Sequence, residues 1–173
     1  MEIKIVVVGS LDTNCYILKK NNEALVIDPG DDYDKIISEI GTNKIVGVLI
    51  THNHFDHVGV LSNFDKELIY SYSNLKEKQY KIADFNFEVI FTPGHTSDSV
   101  SYYFKEIESL FCGDFIFYES IGRCDLPTGN FNIMKDSINK IKKYPKTTKI
   151  YPGHDISTTL IHEIENNIYF KEV

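Results

Sequence analysis

Thr51-His52-Asn53-His54-Phe55-Asp56-His57 is the stretch that decides how this chain is read. It follows Val46–Ile50, a short continuously apolar run that predicts a buried strand. In a strand or extended loop, residues two apart face the same side, so His52 and His54 are placed to grip one ion. Asp56 and His57 lie one step further, at the expected first turn of a helix, where they turn toward a second ion. Four metal-type residues in six positions rarely serve packing. Imidazole and carboxylate suit zinc, iron or manganese, and three such groups per ion leave an open position for water.

Three later segments end in the same chemistry. Pro93-Gly94-His95 follows the strand Val89–Phe91, Cys112-Gly113-Asp114 follows Ser109–Phe111, and Pro152-Gly153-His154 follows Ile150–Tyr151. Each sets a ligand-type residue directly after a strand, with glycine beside it to let the backbone turn. Loops on one rim of a rigid sheet are where binding groups usually sit. His95 or His154 alone would read as an ordinary histidine and Asp114 as a turn residue; the string at 52–57 changes their meaning. His162 stays outside the set, on the pattern of the last helix.

Working outward, Ile3–Val8, Thr13–Leu18 and Ala24–Ile27 read as strands broken by Gly, Asn and Asp. Asp31–Ile40 places Tyr33, Ile36, Ile37 and Ile40 on one helical face and stops at Gly41. Asn86–Phe91, Ser99–Phe104 and Ser109–Cys112 predict further strands. Phe131, Met134, Ile138 and Ile141 mark a helix ending at Tyr144-Pro145, and Lys149–Tyr151 a strand. A last helix after Ser157 carries Leu160, Ile161, Ile164 and Ile168. Strands first and helices interspersed, twice over, predict an α/β or α+β chain with two sheets face to face and helices outside.

The 173 residues fit one domain, spanning 1–173. The chain has 18 Lys+Arg against 25 Asp+Glu, a net charge of -7, which argues against nucleic acid or an anionic membrane as partner. Met1–Gly9 is too short for a membrane span and shows no small-residue cleavage site. Cys15, Cys112 and Cys124 have no C-x-x-C spacing and read as free thiols of a reducing compartment, with the cytoplasm as the expected location.

The series T-H-x-H-x-D-H, P-G-H-T, G-D and P-G-H, in that order and spacing, resembles the metallo-β-lactamase fold superfamily over nearly the whole chain. Phe111–Asp114, Gly122–Gly129 and Tyr151–His154 are similar to segments of the glyoxalase II-like (hydroxyacylglutathione hydrolase-like) members. The resemblance implies a four-layer αββα sandwich. It also implies His52, His54 and His95 on one metal, Asp56, His57 and His154 on the other, and Asp114 bridging, with Asp56 and Asp114 the carboxylates of the catalytic centre. Asp28, before Pro29-Gly30, resembles an early aspartate that supports the metal-bearing loops; a plain turn-forming role stands beside that reading.

Two divalent ions, zinc first with iron or manganese as alternatives, would share a water and give hydroxide at neutral pH. The implied activity is a dinuclear thioesterase on hydroxyacyl thioesters such as S-lactoylglutathione, a small-molecule substrate. Arg123 is a candidate for holding a substrate carboxylate, or else pairs with Asp125. The chain departs from the close relatives at Asp98 and Asp155, where glycine is expected. It also ends soon after His154, so the helical region that grips glutathione is expected to be missing. The alternatives are a mononuclear iron persulfide dioxygenase of the same superfamily or another hydrolase of the fold.

Overall fold

The computed structural model describes residues 1–173. Its first half runs β1 (Glu2–Val8), β2 (Thr13–Lys20), β3 (Glu23–Ile27), α1 (Tyr33–Ile40), β4 (Lys44–Leu49), α2 (Phe55–Val58) and β5 (Ile69–Tyr70). The second half runs β6 (Gln79–Ile82), β7 (Phe85–Phe91), β8 (Val100–Phe104), β9 (Ser109–Gly113), the short hairpin β10 (Ile116–Phe117) and β11 (Ser120–Ile121), then α3 (Phe131–Ile141) and β12 (Lys149–Pro152). β13 (Thr158–Thr159), α4 (Leu160–Asn166) and α5 (Ile168–Lys171) close the chain. The first five strands form one sheet in sequence order, and a second sheet has the order β13-β12-β9-β8-β7-β6.

Period-two alternation builds the layers. On β2 and β3, Tyr16, Leu18, Leu25 and Ile27 face the second sheet and pack on Phe87, Tyr102, Phe104 and Phe111. Their neighbours Cys15, Ile17, Ala24 and Val26 face the other way, onto Ile36 and Ile40 of α1. On the second sheet, Ile90, Leu110, Cys112 and Ile150 point outward against Met134, Ile138 and Ile141 of α3 and Leu160 and Phe170 beyond it. Helix, sheet, sheet, helix is therefore the order of layers, the αββα sandwich that the resemblance implied.

Two details differ from the sequence expectation. The last helix does not run through to Ile168: Asn167 is extended (φ -74, ψ 120) and starts α5 by accepting from Tyr169 N, while its Nδ2 donates to the buried Glu163 carboxylate. Ile168 is left 60% exposed and Phe170 takes the buried position. The strands β5, β6 and β13 and the β10–β11 hairpin were not expected, because Gln79–Ile82 mixes polar and apolar residues and the others are two residues long.

Candidate metal centre

All seven ligand-type residues meet at one end of the sandwich, where strands of both sheets terminate. β4 ends at Leu49, and the chain bends at Thr51 and reaches an extended His54 before Phe55–Val58 makes one helical turn. That change of conformation sends His52 and His54 one way and Asp56 and His57 another. From the second sheet, His95 follows β7, Asp114 follows β9 and His154 follows β12. The ligand atoms fall into two sets, each lying within 4.8 Å of one another: His52, His54, His95 and Asp114 in one, and Asp56, His57 and His154 in the other.

Asp114 faces both. Its Oδ2 lies 3.9 Å from His52 Nε2 and 3.5 Å from His95 Nε2, and its Oδ1 lies 3.3 Å from His57 Nε2 and 3.6 Å from His154 Nε2. Asp56 Oδ2 closes the second set at 3.4 Å from His57 Nε2 and 3.2 Å from His154 Nε2, held by a 2.9 Å bond from the Thr13 hydroxyl. His54 Nδ1 and His95 Nε2 are 3.0 Å apart in the first set.

The outer nitrogens show which atoms are presented inward. His95 Nδ1 donates to the Arg123 carbonyl at 2.8 Å, and His154 Nδ1 to the Leu11 carbonyl at 3.0 Å. A carbonyl can only accept, so each Nε2 carries the lone pair when the ring is neutral. His57 Nδ1 lies 2.9 Å from Asp28 Oδ2, which fixes its ring in the same sense. Thr51 Oγ1 gives its one proton to Asp28 Oδ2 at 2.6 Å and so accepts from His52 Nδ1 at 3.1 Å. Asp28 also accepts from Thr51 N at 2.8 Å, and sits in the left-handed region at φ 53, tying the end of β3 to the end of β4.

The donor set fits bound metal. His52 Nε2, His57 Nε2 and Asp114 Oδ1 are buried without a hydrogen-bond partner, and such groups are costly unless something satisfies them. Gly153 lets the backbone pass close against the cluster: a Cβ there would stand 2.2 Å from Asp114 Oδ1 and 2.7 Å from His57 Cε1, so any larger residue would displace a candidate ligand.

Electrostatics separate the rings. Burial works against the charged form of His57, but Asp28 and Asp114 outweigh it and raise it to about 10. Burial and the neighbouring His57 push His52 well below the usual range. Burial and His95 lower His54. Burial would raise Asp114, yet the facing His57, with His52 and His154 further out, holds it far below the usual carboxylate range.

The remaining candidates are placed as follows. The Arg123 guanidinium forms a two-point pair with Asp125, both contacts 2.8 Å, so Asp125 engages its fork and its carbonyl serves His95. Asp98 accepts from Asn53 between the two histidines of the string, and Asp155 sits at φ 62, a conformation in which glycine is unstrained. His162 belongs to neither set; it bonds Glu119 at 2.9 Å and stacks on Tyr118. Tyr102, Tyr103 and Tyr151 are core residues, whereas Tyr118 is exposed. Cys112 is buried, which pushes its thiol up to about 12.

Sequence reasoning missed the hydroxyl and amide partners. Asn14 Nδ2 and Tyr16 Oη both donate to the Pro152 carbonyl, at 3.1 and 2.5 Å, and anchor the His154 loop to the first sheet. Asn and Tyr in a strand carry no signal that would have distinguished them.

Comparison with known proteins agrees with this geometry. The profile of the Metallo-beta-lactamase superfamily matches residues 8–72 and 75–154, and the chain belongs to that superfamily as a metallo-hydrolase. A probable metallo-hydrolase of Bacillus subtilis is 30% identical over 92% of this chain and 93% of its own length. A hydroxyacylglutathione hydrolase of Francisella philomiragia is 34% identical over 85% of this chain, which spans only 64% of that relative. Among solved structures, the B3 metallo-beta-lactamase BLEG-1 superposes with a TM-score of 0.90 at 31% identity, covering 98% of this chain and 99% of that one. ETHE1 from Myxococcus xanthus gives 0.87 at 25% identity, covering 97% and 84%. TTHA1623 in a di-iron-bound form gives 0.86 at 28% identity, covering 96% and 99%.

Proposed function

We propose that the chain is a dinuclear metal-dependent thioesterase acting on hydroxyacyl thioesters of the S-lactoylglutathione type. The observation that carries the dinuclear reading is Asp114, whose two oxygens face two separate sets of imidazoles. His52, His54 and His95 would hold one divalent ion and Asp56, His57 and His154 the other, with Asp114 shared. Such a pair, when bound, supplies a hydroxide nucleophile near neutral pH and stabilises negative charge developing on a carbonyl oxygen.

The chain's own residues do the positioning. Asp28, Thr51 and the carbonyls of Leu11 and Arg123 hold the imidazole Nδ1 atoms, so that Nε2 lone pairs converge. Thr13 aims Asp56, and Asp114 balances charge between the two sets. No serine or cysteine nucleophile is required, consistent with Cys112 being a buried, strongly protonated thiol. The thioester assignment draws its support from the hydroxyacylglutathione hydrolases among the relatives.

The test is metal analysis of purified, metal-reconstituted protein joined to a panel of thioester, ester, lactam and phosphodiester substrates. About two divalent ions per chain and turnover confined to thioesters is the expected result. One iron per chain with oxygen consumption would instead establish the mononuclear persulfide dioxygenase reading, with which the likeness to ETHE1 is compatible.

A further inference from the structure

The loops that carry or brace the candidate ligands are residues 9–12, 28–32, 51–60, 92–99, 113–130 and 152–157. Beyond Asp28, Asp56 and Asp114 they contain seven carboxylates and a single cation, Arg123, with no lysine. That cation is engaged by Asp125. Of the carboxylates, Asp31 lines the cleft beside Asp56, Asp98 bonds Asn53 between His52 and His54, and Asp155 follows His154 directly.

The same rim also carries exposed apolar side chains. The cleft beside Asp56 has a volume of about 210 Å³ and is lined by Leu11 and Phe55 together with Gly30 and Gly59. Leu11 is 50% exposed and Phe55 73%, and Ile156, two residues past His154, is 63% exposed. Three large apolar side chains thus stand in solvent around one polar cluster.

We infer that the substrate meets this rim with an uncharged, apolar portion against Leu11 and Phe55, and that the rim selects against thioesters whose carrier is anionic, glutathione included. The inference rests on the thioesterase reading for the reaction and acyl group; it changes the carrier. A glutathione thioester has two carboxylates and one ammonium, and the single cation on these loops, Arg123, already faces Asp125 amid a majority of carboxylates. Metals held by these residues would have their positive charge confined among the ligands, at the position of the reacting carbonyl rather than of the carrier. The exposed carboxylates act further out, over a screening length of about 8 Å at physiological salt and about 30 Å at 0.01 M.

The experiment uses the metal-saturated full chain and one acyl group on two carriers, glutathione and uncharged N-acetylcysteamine. The expected kcat/KM is at least about tenfold higher for the uncharged carrier, with the gap widening as salt is lowered. Asp31→Asn with Asp155→Asn, which keeps a side chain tolerant of positive φ, should close the gap to about threefold or less. Phe55→Ala should raise KM for the uncharged thioester about tenfold with little change in kcat. Binding of two inert thioethers, S-hexylglutathione and S-hexyl-N-acetylcysteamine, provides a readout without turnover, and the uncharged one should bind at least about tenfold tighter. A glutathione thioester turned over equally well or better, or a preference indifferent to salt, overturns the inference. If no thioester is hydrolysed, the thioesterase reading fails, and thioether affinity alone decides the rim: tighter uncharged binding upholds it and equal or weaker binding ends it.

Discussion

The two ligand sets that meet at Asp114 are built from different materials. In the first, His52 and His95 are oriented by neutral groups, the Thr51 hydroxyl and the Arg123 carbonyl. In the second, His57 is fully buried and braced by the carboxylate of Asp28, whereas His154 is partly exposed and rests on the Leu11 carbonyl. A carboxylate behind an imidazole raises its basicity and fixes its tautomer more firmly than a neutral acceptor does. The second set therefore depends on one buried charge, and the first on backbone geometry spread over several loops. One lesson follows for mutagenesis: the same substitution chemistry should act locally in one set and through a single brace in the other.

The largest effect is expected where the sets join. Asp114→Asn removes the charge that both share, so metal analysis after dialysis should show both ions weakened together and activity lost beyond about 100-fold, ~2.7 kcal/mol in the barrier. Loss of a single ion, with the other retained at full affinity, would show that the sets are independent. Next comes Asp28→Asn, which keeps the left-handed backbone at φ 53 and the shape of the side chain but not its charge. Affinity in the second set should fall about 10–100-fold in chelator competition, with the first set changed far less. Equal weakening of both would place Asp28 behind the whole loop rather than behind His57.

Thr51→Val is the intermediate case, because this hydroxyl touches both sides: it donates to Asp28 and accepts from His52. Valine fills the same space and leaves the buried His52 Nδ1 without a partner. Unfolding in urea should register a loss of about 1–3 kcal/mol, the cost of an unsatisfied buried polar group. A variant as stable as the parent would mean that His52 finds another acceptor.

The contrast also explains what was legible in the sequence. The string at 52–57 announces itself because two ligands of each set lie within six residues, and period two puts His52 beside His54. His95, Asp114 and His154 became legible only through their shared position after a strand. The layers were readable only through the resemblance: Cys15–Leu18 of β2 and Ala24–Ile27 of β3 are continuously apolar because both faces are buried, which marks them as inner strands but does not say which face meets which layer. The braces were not: Thr13, Asn14, Thr51 and the Leu11 carbonyl act through contacts between the ends of strands distant in sequence, and a threonine or a carbonyl has no pattern that marks it. Asn167 broke the expected last helix for a similar reason, since its amide bonds Glu163 and Ser120 rather than continuing the turn.

The smallest effect is expected at the sixth histidine. His162 stands on α4, donates from Nε2 to the Glu119 carboxylate across 2.9 Å, and stacks on Tyr118 at 4.8 Å between ring centroids. Both partners belong to the β10–β11 hairpin segment that follows Asp114, so the ring has a physical route to the centre, though no ligand atom of either set lies on it. The pair is solvent-exposed, with 32% and 45% of the two side chains accessible, and exposed pairs contribute little because water and salt screen them. The hairpin has a stronger anchor close by: the buried Glu163 carboxylate accepts from Glu119 N at 3.0 Å and from the Thr158 hydroxyl at 2.6 Å. Removing the imidazole leaves that anchor intact. His162→Ala should therefore keep metal content and change kcat/KM by less than about twofold, a barrier change below about 0.5 kcal/mol. A hundredfold loss in a folded, metal-replete variant would show that the hairpin transmits the state of α4 to Asp114, and that the two ligand sets are not the whole of the working site.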